Sequence, residues 1–191
     1  MPLKALAFNC TLKPSPAPSS TEKLLREMLE ALEQYETEGE VVRAVDFNIK
    51  PGIKSDEGAG DDWPALRKRA LAADILLLGS PIWLGQPSSV SKRVLERMDA
   101  FLGEKDERGR MPSYGKVAVA VVTGNEDGAH HVGAEFQQAL TEVGFTIPAE
   151  LLIGSAKPCM ARTTRISYHR PMSSPIGRRC WLRTRPISPA F

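Results

Sequence analysis

The chain has 191 residues, 42% of them hydrophobic and 25% charged, with a formal net charge of +2; these are the proportions of an ordinary globular domain that can bury a core without disulfides. No stretch approaches the ~20 apolar residues of a membrane helix, and the opening MPLKALAFN is too short an apolar run for a secretory signal. Cys10, Cys159 and Cys180 are too widely spaced for a disulfide framework or a zinc site, so the expectation is a cytoplasmic protein with neither a membrane nor a nucleic-acid partner.

In chain order, LKALAFN (3–9) is a short apolar run, the pattern of a strand buried on both faces. The loop CTLKPSPAPSS follows. A helix is expected over 21–35, where Leu24, Leu25, Met28, Leu29 and Leu32 recur at helical spacing. Ser19 or Ser20 is its expected N-cap, with Glu22 or Glu27 facing solvent. EVVRAVDF (40–47) reads as a second strand, and the Gly/Pro/Asp-rich stretch 48–62 as a loop. A second helix is expected over 63–73, and DILLLGSP (74–81) has the unbroken apolar character of a central parallel strand. GQPSSV leads into a third helix (88–101), and a turn-rich loop fills 103–115. KVAVAVVTG (116–124) is the fourth strand, and a fourth helix over 129–143 is closed by Gly144. FTIP (145–148) looks like the start of a fifth strand. Strands alternating with helices imply right-handed crossovers and a parallel sheet covered on both faces.

Ligands of such sheets bind past the carboxyl ends of the strands, where strand order reverses. The residues after the first, third and fourth strands are therefore read as one site. The first loop, from Asn9 through Thr21, is rich in hydroxyls, carries Lys13 and leads into a helix N-terminus, where free N–H groups favour an anion. It has neither GxGxxG nor GxxxxGK[ST], so no Rossmann dinucleotide site or P-loop is indicated; an ordinary capped helix behind a proline-rich loop explains it equally. The second loop sets Trp83 just past a buried strand, either to stack on a planar ring or to act as a hydrophobic lid. The third, TGNEDGAHH, has two glycines that permit close approach to a ring edge. His130 and His131 are candidate proton donors there, or simply an exposed helix start. Cys10 is a candidate reactive thiol, or a small apolar residue ending a strand. Trp63 and Tyr114 read as packing or loop residues.

Taken together, NCTLKPSPAPSST, GSPIWLGQPSSVSKRVLERMDAFL and KVAVAVVTGNEDGAHH resemble the NAD(P)H-dependent FMN reductase branch of the flavodoxin-like superfamily, over about residues 3–148. The resemblance implies an α/β flavodoxin-like, doubly wound parallel sheet in the order 2-1-3-4-5. It implies that Thr11, Lys13, Ser19, Ser20 and Thr21 hold the FMN phosphate, that Pro81, Ile82, Trp83 and Leu84 line the isoalloxazine, and that Thr123, Gly124, Asn125 and Gly128 hold its polar edge. The implied reaction moves a hydride from NAD(P)H to the flavin and on to a quinone, free flavin or other small acceptor, with the protein positioning the cofactor. It needs no protein acid or base and no metal, and the implied assembly is a homodimer or homotetramer. The alternative is a non-enzymatic electron carrier of the flavodoxin type. A receiver domain of the same topology would need an acidic cluster where this chain has Asn9-Cys10-Thr11.

The boundary is expected near residue 150. Residues 1–150 carry 17 Lys+Arg against 23 Asp+Glu, whereas residues 151–191 hold eight basic residues and no acid. This tail has no apolar period, and the fifth strand and last helix are expected to be missing or disordered. In a shifted reading frame, codons permitted for LIGSAKPCMARTTRIS give YWVGEAMHGTDYKDL, which resembles the family's fifth-strand segment, and the following codons permit an amphipathic helix. The sequence thus points to a frameshift near residues 148–150, and to a fourth strand left as an unpaired edge in a chain weak in flavin binding.

Overall fold

The computed structural model describes residues 2–148 and, for their backbone, two further strands at Leu152–Ala156 and Thr164–Ile166. The elements run β1 (Leu3–Asn9), α1 (Ser20–Glu33), β2 (Thr37–Arg43), α2 (Trp63–Ala72), β3 (Ile75–Trp83), β4 (Gln86–Pro87), α3 (Ser89–Met98), β5 (Val117–Gly124), α4 (Ala129–Glu142), β6 (Leu152–Ala156) and β7 (Thr164–Ile166). The sheet order is β2-β1-β3-β5-β6-β7, with β4 turning back on β3 as a hairpin. β1, β2, β3, β5 and β6 are parallel; β7 is antiparallel to β6.

Side chains alternate across a strand, and the sheet buries both sets. Ala5, Ala7, Ile75, Leu77, Val119 and Val121 meet Leu25, Met28, Leu29 and Leu32 of α1 on one face. Leu6, Phe8, Leu76, Leu78, Ala120 and Val122 meet α2, α3 and α4 on the other, through residues such as Trp63, Val94, Met98 and Phe136. Trp63 is a core residue, stacked on Phe8 with ring centroids 6.3 Å apart. At roughly 25 cal/mol per Å² of apolar surface removed from water, these two layers are the main stabilising term.

Three expectations about the elements are corrected. The second strand lies at Thr37–Arg43, not 40–47. Its polar first half sits on the sheet edge beside β1, Gly39 gives Leu29 of α1 room to pack, and the chain then curls into a 3-10 turn at Ala44–Asp46. FTIP does not begin the fifth strand: Thr146 makes one parallel bridge to Val117. The fifth strand is present, in register from Ala120↔Leu152 to Gly124↔Ala156, so β5 is not an open edge. LIGSA has no proline or charge to interrupt the ladder, and pairing satisfies the N–H and C=O groups that β5 would otherwise leave free. The expected loss of the last helix concerns residues 167–191, which lie outside the described residues.

Candidate functional site

Asn9 ends β1 and organises the first loop. Its buried side chain accepts from the Thr11 N–H at 3.2 Å and the Ser19 hydroxyl at 3.4 Å, and donates to Glu22 at 3.2 Å. Thr11 is buried and accepts from the Lys13 N–H. Lys13 is exposed, its Nζ 3.5 Å from the Pro18 carbonyl. Ser19 is the N-cap of α1, accepting from the Glu22 N–H. Ser20 is exposed at the first helical position. The N–H groups of Ser20 and Thr21 belong to the first turn, which has no intrahelical acceptor for them, and neither has a partner among the described residues. Thr21 points inward, its hydroxyl 2.7 Å from that of Thr123. That bond ties the start of α1 to the end of β5.

The second loop begins later than the sequence suggests, because Pro81, Ile82 and Trp83 belong to β3 itself. Leu84 and Gly85 form a two-residue turn, both at positive φ, and β4 returns with Trp83 opposite Gln86. Trp83 is 51% exposed and Leu84 91% exposed. A leucine is uncommon at positive φ, and the turn is held from the third loop, where Glu126 accepts the Leu84 N–H at 3.1 Å. Ser88, the N-cap of α3, donates to the Cys10 carbonyl at 2.6 Å and takes part in a buried cluster with Ser80 and Ser91.

Gly124 ends β5 against Ile82, and Asn125 is exposed. Gly128, at φ +123°, passes so close to Gly85 that a Cβ there would lie 2.7 Å from the Gly85 Cα. The three loops are thus joined pairwise: first to third by Thr21–Thr123, first to second by Ser88–Cys10, second to third by Gly128–Gly85. His131 is exposed and contacts Gln86 and Glu135. Burial pushes the Cys10 thiol up, so Cys10 is the apolar strand end and not a nucleophile.

Four participants escaped the sequence reading. Arg43, the last residue of β2, reaches under the first loop and pairs with Glu22. Glu22, expected in solvent, is instead held ionised below the usual carboxylate range, chiefly by Arg43, against some desolvation and with help from Arg26. Ser15 donates its N–H and its hydroxyl to Asp46; burial alone would raise that carboxyl, and these bonds bring it down. Ser88 is the fourth. The spacing Ser19-x-x-Glu22 is a capping-box signal, and the lone arginine inside VVRAV was the other available clue. A concavity of about 550 Å³ near Lys105, Arg110 and Tyr114 opens before β5, at the opposite end of the strands from these loops.

A family model described as NADPH-dependent FMN reductase matches residues 3–157. The chain belongs to that family. The chain is 40% identical over 163 residues to a protein of Mycobacterium bovis named divalent metal cation transporter MntH, covering 82% of this chain and 24% of that one. It is 35% identical over 157 residues to 8-demethyl-8-aminoriboflavin-5′-phosphate synthase of Streptomyces davaonensis, covering 78% and 61%. The crystal structure of RosB with bound 8-demethyl-8-formylriboflavin-5′-phosphate superposes with a TM-score of 0.75 at 32% identity, over 84% of this chain and 67% of that chain. The chain therefore spans about a quarter of one curated relative and about three fifths of the other. Among the described residues no helix is long and apolar enough to cross a membrane.

Proposed function

We propose that this chain binds FMN across the three joined loops and acts as an NAD(P)H-dependent oxidoreductase that delivers electrons to a quinone, free flavin or another small acceptor. The observation that carries this reading is one junction. Two N–H groups at the start of α1 that have no partner among the described residues, and a set of hydroxyls, lie on the same end of the sheet as the exposed Trp83 and Leu84. An amphiphile with an anionic end and a flat apolar end fits that chemistry.

When bound, FMN supplies the hydride chemistry. The residues of the chain do the holding. The Ser20 and Thr21 N–H groups and the hydroxyls of Thr11 and Ser20 would donate to the phosphate, and Lys13 would add positive charge; Ser19, whose hydroxyl donates to Asn9, would shape the helix start. Thr21 acts through Thr123, fixing the helix start against β5. Pro81, Ile82, Trp83 and Leu84 keep water from the ring. Gly124, Asn125 and Gly128 leave backbone room at its polar edge.

A second reading is favoured by the relatives' names. The same site takes a riboflavin-5′-phosphate derivative to be transformed; one relative is named as the synthase of such a derivative, and the RosB structure holds another as a bound intermediate. Anaerobic addition of NADPH to the FMN-loaded protein separates the readings. Loss of the visible flavin absorption, with return on adding a quinone, is expected for the oxidoreductase. Bound flavin that NADPH leaves oxidised contradicts it and favours a carrier or a flavin-transforming role.

A further inference from the structure

The first loop reads as a phosphate loop, yet its middle cannot donate to phosphate. Pro14, Pro16 and Pro18 have no N–H. The Ser15 N–H is taken by Asp46 at 2.8 Å and the Ala17 N–H by the Pro14 carbonyl at 3.0 Å. The donors available to an anion therefore sit at the two ends of the loop, and the proline arch between them sets their separation. That arch bends around one side chain. Arg43 is 9% exposed, and its Nη1 donates to the carbonyls of Lys13, Pro14 and Ala17 at 3.2, 3.0 and 2.8 Å. Its Nη2 donates to Glu22, and its Nε is buried without a partner among the described residues.

We infer that Arg43, braced by Asp46 on Ser15, is the positioning residue that gives the 10–19 loop its phosphate-receiving shape and cancels the charge of Glu22 at the same helix start; this rests on the flavin-phosphate reading above. Two physical tasks meet in one guanidinium. It gathers three carbonyl dipoles beneath the arch, where their negative ends would otherwise face an incoming phosphate. It also neutralises, together with the more exposed Arg26, the Glu22 carboxylate in the first turn of α1, where a like-charged ligand would be repelled. A lysine could not do both, because one ammonium lacks the forked geometry that spans four acceptors.

The test compares FMN with riboflavin, which has the same ring and no phosphate, on the full chain and on Arg43→Gln, Glu22→Gln and the double variant. Arg43→Gln is expected to weaken FMN binding by ~10-fold or more and riboflavin binding by less than ~3-fold, as loss of charge-assisted hydrogen bonds aimed at one end of the ligand requires. Adding Glu22→Gln is expected to recover part of the loss, because the carboxylate left with only the exposed Arg26 as counter-charge is gone. Equal weakening of both flavins, or no recovery in the double variant, overturns the inference. Asp46→Asn, which loosens the arch and leaves the hydrogen bonds of Arg43 in place, is expected to show a smaller loss with the same preference for FMN. Amide hydrogen exchange on ligand-free protein is the independent arm. Faster exchange across residues 13–20 in Arg43→Gln is expected, and unchanged exchange overturns the inference whatever the flavins do. Failure of the unaltered protein to bind either flavin overturns the proposed function instead, and is read without any variant.

Discussion

Two loops at the carboxyl end of this sheet are each built around one buried arginine, and they differ in how completely that arginine is used. Arg97 of α3 anchors residues 48–62: it is fully buried, donates to the carbonyls of Lys54 and Lys50, pairs with Asp61 at 2.7 Å, and lies over Trp63. All three of its nitrogens are spent inside the loop it holds. Arg43 anchors the first loop, but its Nε has no partner among the described residues and its carboxylate, on Glu22, lies outside the arch and is partly exposed. The loop around Arg97 is closed on itself: its surface is largely exposed, but its backbone is tied from within. The loop around Arg43 is closed beneath and open at its two ends, where free donors remain. Satisfied polar networks rigidify; partly satisfied ones mark places where something else completes the set.

The contrast is broken most severely at Arg97. Arg97→Ala leaves Asp61 buried and unpaired and is expected to cost about 3–5 kcal/mol, seen as a fall in Tm of roughly 10 °C. The same pair sets an acid limit. Burial alone would raise the Asp61 carboxyl, but Arg97 and the N–H groups of Glu57, Trp63 and Lys50 outweigh it and hold the group at about 2, from an ordinary 3.8. A depressed carboxyl stabilises the fold above its unfolded value, and that stability is lost as pH falls from 3.8 toward about 2. Denaturant melts at stepped acid pH should show this slope and lose it in Asp61→Asn.

The junction of the loops comes next. Gly128→Ala puts a Cβ against Gly85 at a φ that side chains avoid, and should cost about 1–3 kcal/mol while weakening FMN binding, measured by denaturation and by titration. Thr21→Val leaves the buried Thr123 hydroxyl without its partner and should cost about 1–2 kcal/mol. The smallest effect is expected at Leu84. Leu84→Asn relieves an unfavourable backbone region and should gain up to about 1 kcal/mol in a melt, since Leu84 is almost wholly exposed.

The alternation of strands and helices, the parallel sheet and the loops that meet were legible because each rests on local pattern. LKALAFN, ILLLG and VAVAVV have the unbroken apolar character of buried strands, and Leu24 to Leu32 keep helical spacing. What was not legible depends on distant partners. Nothing near Arg43 in sequence announces that it reaches three carbonyls of the first loop, and nothing near Glu22 announces Arg43. The second strand begins earlier than the sequence suggests because its first half is polar, and a polar edge strand gives no alternation signal. The abrupt change of composition in the tail argues against a fifth strand. Yet LIGSA is short and uncharged enough to pair with β5. The frameshift proposal concerns mainly residues outside those described, and resequencing the gene around codons 148–150 decides it.

The most direct test of the three-loop site is a fluorescence titration of FMN into the full chain, alongside Trp83→Ala. A saturable quench at micromolar concentration, weakened ~10-fold or more when the ring platform is removed, is the expected result. No binding, or binding indifferent to Trp83, would contradict the claim that these loops form the flavin site.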